Sequence, residues 1–463
     1  METLKEPRGK DKVASQRPVI PPELLRFLAR KSYSLLIKGE AATGKTILAL
    51  SILKETSPKN NNFLYLSTRV SPSQLFENHH WLTELSGAET KAETAEKREE
   101  GQQTEGNLVH ERFVDSRLDE PVQFFERITN ELMDVRSPTI VVDSWDPIGG
   151  MMESDALVSN TKVLQTWRER AEANIITLVE DSSNTSFDSL FDGVVSLDRY
   201  YEDGRIIRMI QLSKLSGVKV NRPSYLFTLD GGIFQSFRTY NPLEIYSQTP
   251  GGWSWERRAR STGYRELDAI LDGTLPSGTI MNINMTAGVN SAMLLLLLSG
   301  IIGRGAAKSR LVLFRPFTGI GVEQAAGALG AVVPIQRAQP GASGREPKGV
   351  ADSLRAQVES QRKAKQGRKV VALVGSEYIL GAEDEEERER LLECMKSKVD
   401  LTVIVTGAEM EVESAARAAD VSLKLSDVNG TPLLQAQLPW TEFFAISVQM
   451  DHTAATVGLV PMV

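Results

Sequence analysis

Eight consecutive residues have the types and the spacing needed to hold a chain of phosphates. Residues 39–46 read GEAATGKT, which fits the pattern G-x-x-x-x-G-K-[ST]. Its two glycines let the backbone turn so that N–H groups face phosphate oxygens, while the lysine reaches the terminal phosphates and the threonine hydroxyl takes Mg²⁺. The pattern therefore predicts a site for ATP and Mg²⁺, formed by Gly39, Glu40, Ala41, Ala42, Thr43, Gly44, Lys45 and Thr46.

The residues around this loop predict the context that a phosphate site needs. A strand-like run at 34–37 precedes the loop and a helical run at 47–54 follows it, so the helix dipole also favours an anion. Further along, residues 139–143 read TIVVD, an apolar strand that ends in a carboxylate. Asp143 is therefore predicted to share the Mg²⁺ with Thr46 and to act with Lys45 in catalysis, the alternative being that it caps the next helix.

Composition limits the kind of protein that carries this site. The chain has 463 residues, 41% of them hydrophobic, which suits two or three globular domains. Its net charge of -7 argues against a large nucleic-acid footprint, and its single cysteine, Cys394, allows no disulfide within the chain. No apolar run approaches the ~20 residues of a membrane span, so we expect a cytoplasmic protein.

Apolar runs alternate with helical patterns twice along the chain. Runs at 34–37, 63–66, 139–142, 175–179 and 193–197 predict a parallel sheet covered by helices, and runs at 278–283, 310–314, 370–374, 401–405 and 421–425 repeat the order. Residues 86–107 are polar, without a large apolar side chain, and predict a disordered insertion. The expected organisation is a flexible arm (1–20), a first domain (21–237), a linker (238–257) and a second domain (258–463).

Several runs carry a family resemblance that covers most of residues 21–237. These runs are SLLIKGEAATGKTILAL, FLYLSTRVSPSQLF, IVVDSWDPI, and RMIQLSKLSGVKV followed by YLFTLDGGIF. The first unit resembles the KaiC-like branch of the RecA superfamily and, within it, the GvpD family of archaeal gas-vesicle regulators. The resemblance implies an α/β fold, a RecA-like ATP-binding domain, self-association and control of transcription through a protein partner.

The second unit resembles the same fold but lacks its chemistry. The run STGYRELDAILDGTLPSGTIMNIN is similar to the beginning of a KaiC-like domain, yet residues 285–292, where that family has its phosphate loop, read MTAGVNSA. Ser291 takes the lysine position, Ala292 takes the hydroxyl position, and the strand that should end in a metal carboxylate ends in Gly375. We expect a degenerate RecA-like domain that binds no nucleotide, although unrelated strands are an alternative.

Hydrolysis is expected to be slow or dependent on a partner. KaiC-like ATPases place glutamates at the end of the strand after the loop helix, where this chain has Ser67, Thr68 and Arg69. Asp146 and Glu180 are the nearby candidates for a general base, and each is equally suited to capping a helix or a turn. Lys214, in a KLSG run, matches a family element that contacts the nucleotide of a neighbouring subunit, but Ser216 replaces its usual arginine.

The sequence therefore favours a Mg-ATP-binding regulatory protein with at most weak ATPase activity, which converts ATP and water into ADP and phosphate. Its expected partners are ATP, a regulatory protein and other copies of the chain. A RecA/RadA-type ATPase of DNA recombination or repair and a KaiC-like autokinase are the alternatives. An ATPase assay with and without DNA would test the recombination alternative, since DNA should then stimulate hydrolysis. Transfer of phosphate from labelled ATP to the protein would test the autokinase alternative.

Overall fold

The computed structural model describes residues 19–463 with internal gaps. The residues left out between these limits are 57–61, 83–111, 136, 181–187, 238–263, 271–274, 303–309, 318, 330–331, 336–348, 365–368, 408–412 and 451–454. The chain divides into two compact units, between Ser236 and Phe237. The insertion expected at 86–107, the linker expected at 238–257 and all but the last two residues of the expected arm lie outside the described residues, so the domain limits stay predictions.

A mixed nine-stranded sheet forms the first unit. Its strands have the order β3-β2-β4-β5-β1-β6-β7-β8-β9. Their bounds are β1 (Ser34–Lys38), β2 (Phe63–Ser67), β3 (Phe113–Asp115), β4 (Thr139–Asp143), β5 (Asn174–Val179), β6 (Gly193–Glu202), β7 (Arg205–Leu215), β8 (Ser224–Thr228) and β9 (Gln235–Ser236). The helices are α1 (Pro22–Leu28), α2 (Lys45–Thr56), α3 (Pro72–Asn78), α4 (Pro121–Asp134), α5 (Asp146–Gly149) and α6 (Ser154–Arg170).

The sheet of the first unit is covered by helices on both faces, and successive side chains along a strand pack against opposite helical layers. Tyr65 of β2 packs in the cluster that contains α1 and α2, whereas its neighbours Leu64 and Leu66 pack in the cluster of α4 and α6. Successive strand residues point to opposite faces, and β1, β2 and β4 are buried throughout, as expected of central parallel strands. The carboxyl ends of these strands lie at the same edge of the sheet, where ligands of α/β folds bind.

The second unit repeats this topology strand for strand. Its sheet has the order β12-β11-β13-β14-β10-β15-β16-β17-β18. The strands are β10 (Thr279–Met285), β11 (Arg310–Phe314), β12 (Val332–Pro334), β13 (Lys369–Gly375), β14 (Leu401–Gly407), β15 (Val421–Val428), β16 (Thr431–Leu438), β17 (Phe443–Met450) and β18 (Ala455–Pro461). The helices are α7 (Arg265–Ile270), α8 (Ser291–Ile302), α9 (Val322–Leu329), α10 (Val350–Ala364), α11 (Ser376–Leu380), α12 (Glu385–Lys398) and α13 (Glu413–Ala418).

The two mixed sheets with their helices confirm the predicted fold class, α/β with two RecA-like domains in tandem. One feature differs from the expected parallel sheets. In each unit the last three strands, β7–β9 in the first and β16–β18 in the second, each pair antiparallel with the strand before them. Antiparallel neighbours need only a short connection, whereas parallel neighbours need a crossover. The most apolar run, at 293–298, lies in the buried helix α8. No described helix is long and apolar enough to cross a membrane.

Candidate functional site

The phosphate loop joins β1 to α2 at the carboxyl edge of the first sheet. Gly44, just before α2, has a φ of 103°, and a Cβ built there would lie 2.8 Å from Cδ1 of Leu229. The sequence therefore needs glycine at this position both for backbone conformation and for space. At the apex, Ala42 also has a positive φ, and Glu40, Ala41 and Ala42 are exposed.

Lys45 lies inside the curve of this loop. Its Nζ donates to the carbonyl oxygens of Gly39 at 2.6 Å and Glu40 at 2.8 Å, and the hydroxyl of Thr43 donates to the same Glu40 oxygen at 2.8 Å. Burial lowers the pKa of Lys45, while the negative charges of Glu180, Asp143 and Asp146 act in the opposite direction. Lys45 is also the first residue of α2, where the free N–H groups of a first helical turn favour an anion, so its ammonium group is well placed for a phosphate.

Thr46 and Asp143 meet although 97 residues separate them in sequence. The Thr46 hydroxyl donates to Oδ2 of Asp143 at 2.7 Å, and the hydroxyl of Tyr65, on the neighbouring strand β2, donates to the same oxygen at 2.5 Å. Burial raises the pKa of Asp143, whereas these two hydrogen bonds and the charge of Lys45 lower it. A hydroxyl and a carboxylate side by side are oxygen ligands of the kind that Mg²⁺ prefers, so this pair fits the predicted ion.

Tyr65 is a site residue that the sequence analysis missed. Its side chain is fully buried in β2, and a buried tyrosine hydroxyl needs a hydrogen-bond partner. One feature of the sequence could have indicated this contact. The run FLYL contains a tyrosine among apolar residues, and its strand is predicted to lie in the same parallel sheet as the strand that ends in aspartate. Nothing in sequence spacing gives the register in which Ser67 pairs with Asp143, and that register brings the two side chains together.

Asp146 and Glu180 are adjacent at the end of β5, but they have different surroundings. Both carboxylate oxygens of Asp146 lie 3.1 Å from the backbone nitrogen of Glu180, a contact between the start of α5 and the end of β5 that caps neither a helix nor a turn. The Glu180 side chain instead reaches outward and forms an ion pair with Arg69, just after β2. Thr68, beside Arg69, is tied to Ser144 by hydrogen bonds of 2.7 and 2.8 Å.

Lys214 is bound to a backbone carbonyl of its own chain. Its Nζ donates to the backbone carbonyl of Asp188 at 3.2 Å, and the carboxylate of Asp188 pairs with Lys38 at 3.0 Å. A contact between Lys214 and a neighbouring subunit's nucleotide stays a prediction. From the same strand, β7, Arg208 reaches the loop directly and donates to the carbonyl of Ala42 at 2.9 Å.

In the second unit the corresponding loop joins β10 to α8, and different groups fill it. Gly288 keeps a positive φ, but Oδ1 of Asn290 accepts the N–H of Ala292 at 2.8 Å, so a side chain caps the helix where the first unit would offer donors. At the end of β13, a Cβ added to Gly375 would overlap Oε2 of Glu377 and lie 2.6 Å from Cβ of Phe317. A side chain at this position would therefore require the Glu377 carboxylate to move, and with it the loop after β11 that carries Phe317.

Comparison with known proteins agrees with this geometry. Residues 25–213 match a family model described as GvpD gas vesicle protein, P-loop domain. The chain is similar to Protein GvpD1 of Halobacterium salinarum, with 27% identity over 280 residues, which cover 58% of this chain and 50% of that protein. It is also similar to Protein GvpD2 of the same organism, with 25% identity over 291 residues, 58% of this chain and 56% of that protein. The matches thus span about half the length of these relatives.

The match to the family model covers β1 and its loop, the β4 carboxylate, the strand that carries Tyr65, and Glu180 after the end of β5. The elements that place the candidate site are thus the ones that the chain shares with this family. Over residues 25–213 the chain is therefore similar to the P-loop domain of GvpD gas vesicle proteins.

Proposed function

We propose that the first unit binds Mg-ATP and that the protein acts as a nucleotide-controlled regulator that hydrolyses ATP slowly. The contact between Thr46 and Asp143, at 2.7 Å beside the Lys45 ammonium, is the observation that carries the proposal. It unites the residue types required for a phosphate and a magnesium ion at one edge of one sheet. Lys45 would bind the phosphates, and Thr46 and Asp143 would hold the ion, which neutralises developing charge when bound.

Slow hydrolysis is proposed because each candidate general base is already engaged. Asp146 accepts the Glu180 N–H with both oxygens, and Glu180 itself pairs with Arg69. Lys214, the candidate for a charge supplied between subunits, donates to Asp188. A protein that binds ATP tightly and turns it over slowly suits a switch, because the bound state then lasts long enough to be recognised by a partner.

The regulated process is proposed from the relatives alone. The family model is named for a gas vesicle protein, and both relatives carry the GvpD name. We propose that this protein controls gas-vesicle production through contact with a regulatory protein partner, and that self-association accompanies this role. A pull-down with wild type and with Lys45→Ala, each with and without ATP, would identify such a partner and test whether nucleotide controls it.

Titration calorimetry with a slowly hydrolysed ATP analogue and Mg²⁺ tests the nucleotide site. We expect one site per chain in the wild type and binding weakened by at least ~100-fold in Lys45→Ala, since charge-assisted contacts are worth about 1.5–3 kcal/mol each. Ser291→Ala is the matched control, because Ser291 holds the lysine position in the second unit. Unchanged affinity in Lys45→Ala, or a second site lost in Ser291→Ala, would contradict the proposal.

A further inference from the structure

One ion pair crosses the candidate nucleotide site. Arg69 follows the end of β2 at Ser67, and Glu180 directly follows the end of β5 at Val179. These two strands are not neighbours, because β4 lies between them and ends at Asp143. A contact between Arg69 and Glu180 therefore has to pass over the end of β4, where the candidate metal carboxylate lies.

The Arg69–Glu180 pair is close enough to Lys45 and Asp143 for its charges to affect their pKa values. Burial lowers the pKa of Lys45, and among the charges that raise it again Glu180 has the largest effect. The positive charge of Arg69 lowers the pKa of both Lys45 and Asp143. The Glu180 backbone is held by Asp146, so only its side chain is free to change partner. That side chain is 31% exposed and the Arg69 side chain 43% exposed, so both remain within reach of solvent.

We propose that the Arg69–Glu180 ion pair is a gate on ATP hydrolysis, which withholds the Glu180 carboxylate from the attacking water until the pair opens. This inference rests on the ATP binding proposed above. When the pair opens, Glu180 takes a proton from water as the water oxygen bonds to the γ-phosphorus. The bond from that phosphorus to the β–γ bridging oxygen breaks, and ADP and phosphate leave. While the pair is closed, Oε1 of Glu180 is occupied by the guanidinium and cannot orient water.

A gate of this kind has to open at low cost. Exposed ion pairs are weak, because water competes for both charges and the long side chains lose freedom when they pair. Salt screens such pairs further, since the Debye length falls from about 10 Å at 0.1 M to about 3 Å at 1 M. The closed form of the Arg69–Glu180 pair is thus favoured modestly, and a small perturbation shifts it.

Steady-state phosphate release at saturating ATP tests the gate in the full chain. We expect Arg69→Ala to raise turnover about two- to fivefold, the range that corresponds to the strength of an exposed pair. Arg69→Lys keeps the charge and should stay near wild type. Glu180→Gln should lower turnover at least ~tenfold, as loss of a general base does. The double variant should be as slow as Glu180→Gln, because the gate acts only through that carboxylate.

Two controls separate the gate from a general effect of charge or folding. Arg117→Ala breaks an exposed ion pair with Asp115 at the end of the neighbouring strand β3, and should leave turnover unchanged. Added salt should raise wild-type turnover more than that of Arg69→Ala, in which the pair is already absent. Melting temperatures and ATP dissociation constants measured alongside would identify a variant that has lost its fold or its ligand.

Each outcome has a separate meaning. If the wild type does not bind ATP, both the proposed function and the gate are wrong. ATP binding with turnover lowered or unchanged in Arg69→Ala overturns the gate alone. So does a double variant that turns over faster than Glu180→Gln, because a different base would then be at work.

Discussion

Replacement of Tyr65 by phenylalanine tests the candidate metal site with a change of one atom. The substitution removes the hydroxyl that donates to Oδ2 of Asp143 and leaves the buried ring in place. Tyr33→Phe is the matched control: Tyr33 is also buried in the first unit, but its hydroxyl has no hydrogen-bond partner among the described residues. The same atom is deleted in both variants, so only the lost hydrogen bond distinguishes them.

The two substitutions should differ in stability. A hydrogen bond to a charged group contributes about 1.5–3 kcal/mol. For a unit of this size, 1 kcal/mol shifts the melting temperature by roughly 2–4 °C, so Tyr65→Phe should lower the transition of the first unit by about 3–12 °C. Tyr33→Phe loses no bond and relieves an unsatisfied hydroxyl, so its transition should stay unchanged or rise slightly.

Ligand binding should separate the two variants as well. Loss of a group that orients a metal ligand typically costs about 10–100-fold in affinity, so the Mg²⁺-dependent part of ATP binding should weaken by that factor in Tyr65→Phe. The Tyr65 hydroxyl also lowers the pKa of Asp143, and without it that pKa rises. On acidification, the variant should therefore lose its Mg²⁺-dependent affinity at a higher pH than the wild type does.

Calorimetric melting curves and ATP titrations with and without Mg²⁺, repeated at several pH values, provide the measurements. Equal effects of Tyr65→Phe and Tyr33→Phe would refute the reasoning, because the hydrogen bond to Asp143 would then contribute nothing. If Tyr65→Phe lowers stability without changing the Mg²⁺ dependence, the hydrogen bond to Asp143 contributes to the fold, but Asp143 is not a metal ligand.

Two further predictions follow from the same unit. Since burial raises the pKa of Asp143 above its ordinary value of 3.8, its carboxyl stabilises the fold while protonated below that pH, and this stability is lost as the pH rises through the folded pKa. Asp143→Asn should therefore abolish that part of the pH dependence in denaturant unfolding, along with Mg²⁺-dependent ATP affinity; an unaltered pH profile would contradict the burial argument. Deletion of residues 86–107 should leave ATP affinity and melting temperature nearly unchanged, because the segment has no large apolar side chain and loop-closure entropy varies slowly with length; loss of many degrees would make it part of the fold.

The sequence predicted the central strands more accurately than the outer ones. The run at 63–66 became β2 (Phe63–Ser67) and the run at 370–374 became β13 (Lys369–Gly375), because fully buried parallel strands read as continuous apolar runs. In contrast, β7 (Arg205–Leu215) carries arginines, a lysine and a glutamine among its apolar residues and was not predicted. Such a strand is stabilised by its antiparallel neighbours, and propensity in a single sequence carries little of that information.

The residues of the candidate site also fall into two groups, those that the sequence predicted and those that it did not. The loop at 39–46 is a local pattern, so its residues could be named in advance, and the strand ending in Asp143 could be paired with it by motif. Tyr65 and the Arg69–Glu180 pair depend on which strands are neighbours and in what register. These contacts join residues far apart in sequence, and spacing along the chain does not encode them.

The second unit has the same sheet order as the first but different residue types at the position of the phosphate loop. Sheet order is retained strand for strand, and α8 buries an unbroken apolar run, so burial alone is sufficient to maintain the domain. The charged groups of a phosphate site contribute little to such a core and cost energy when they are buried without a ligand. In this unit Asn290 caps α8, and a side chain at position 375 would meet Glu377 and Phe317. A lysine at position 291 alone would therefore meet a capped helix, with no carboxylate at position 375, so we do not expect this single replacement to create a nucleotide site.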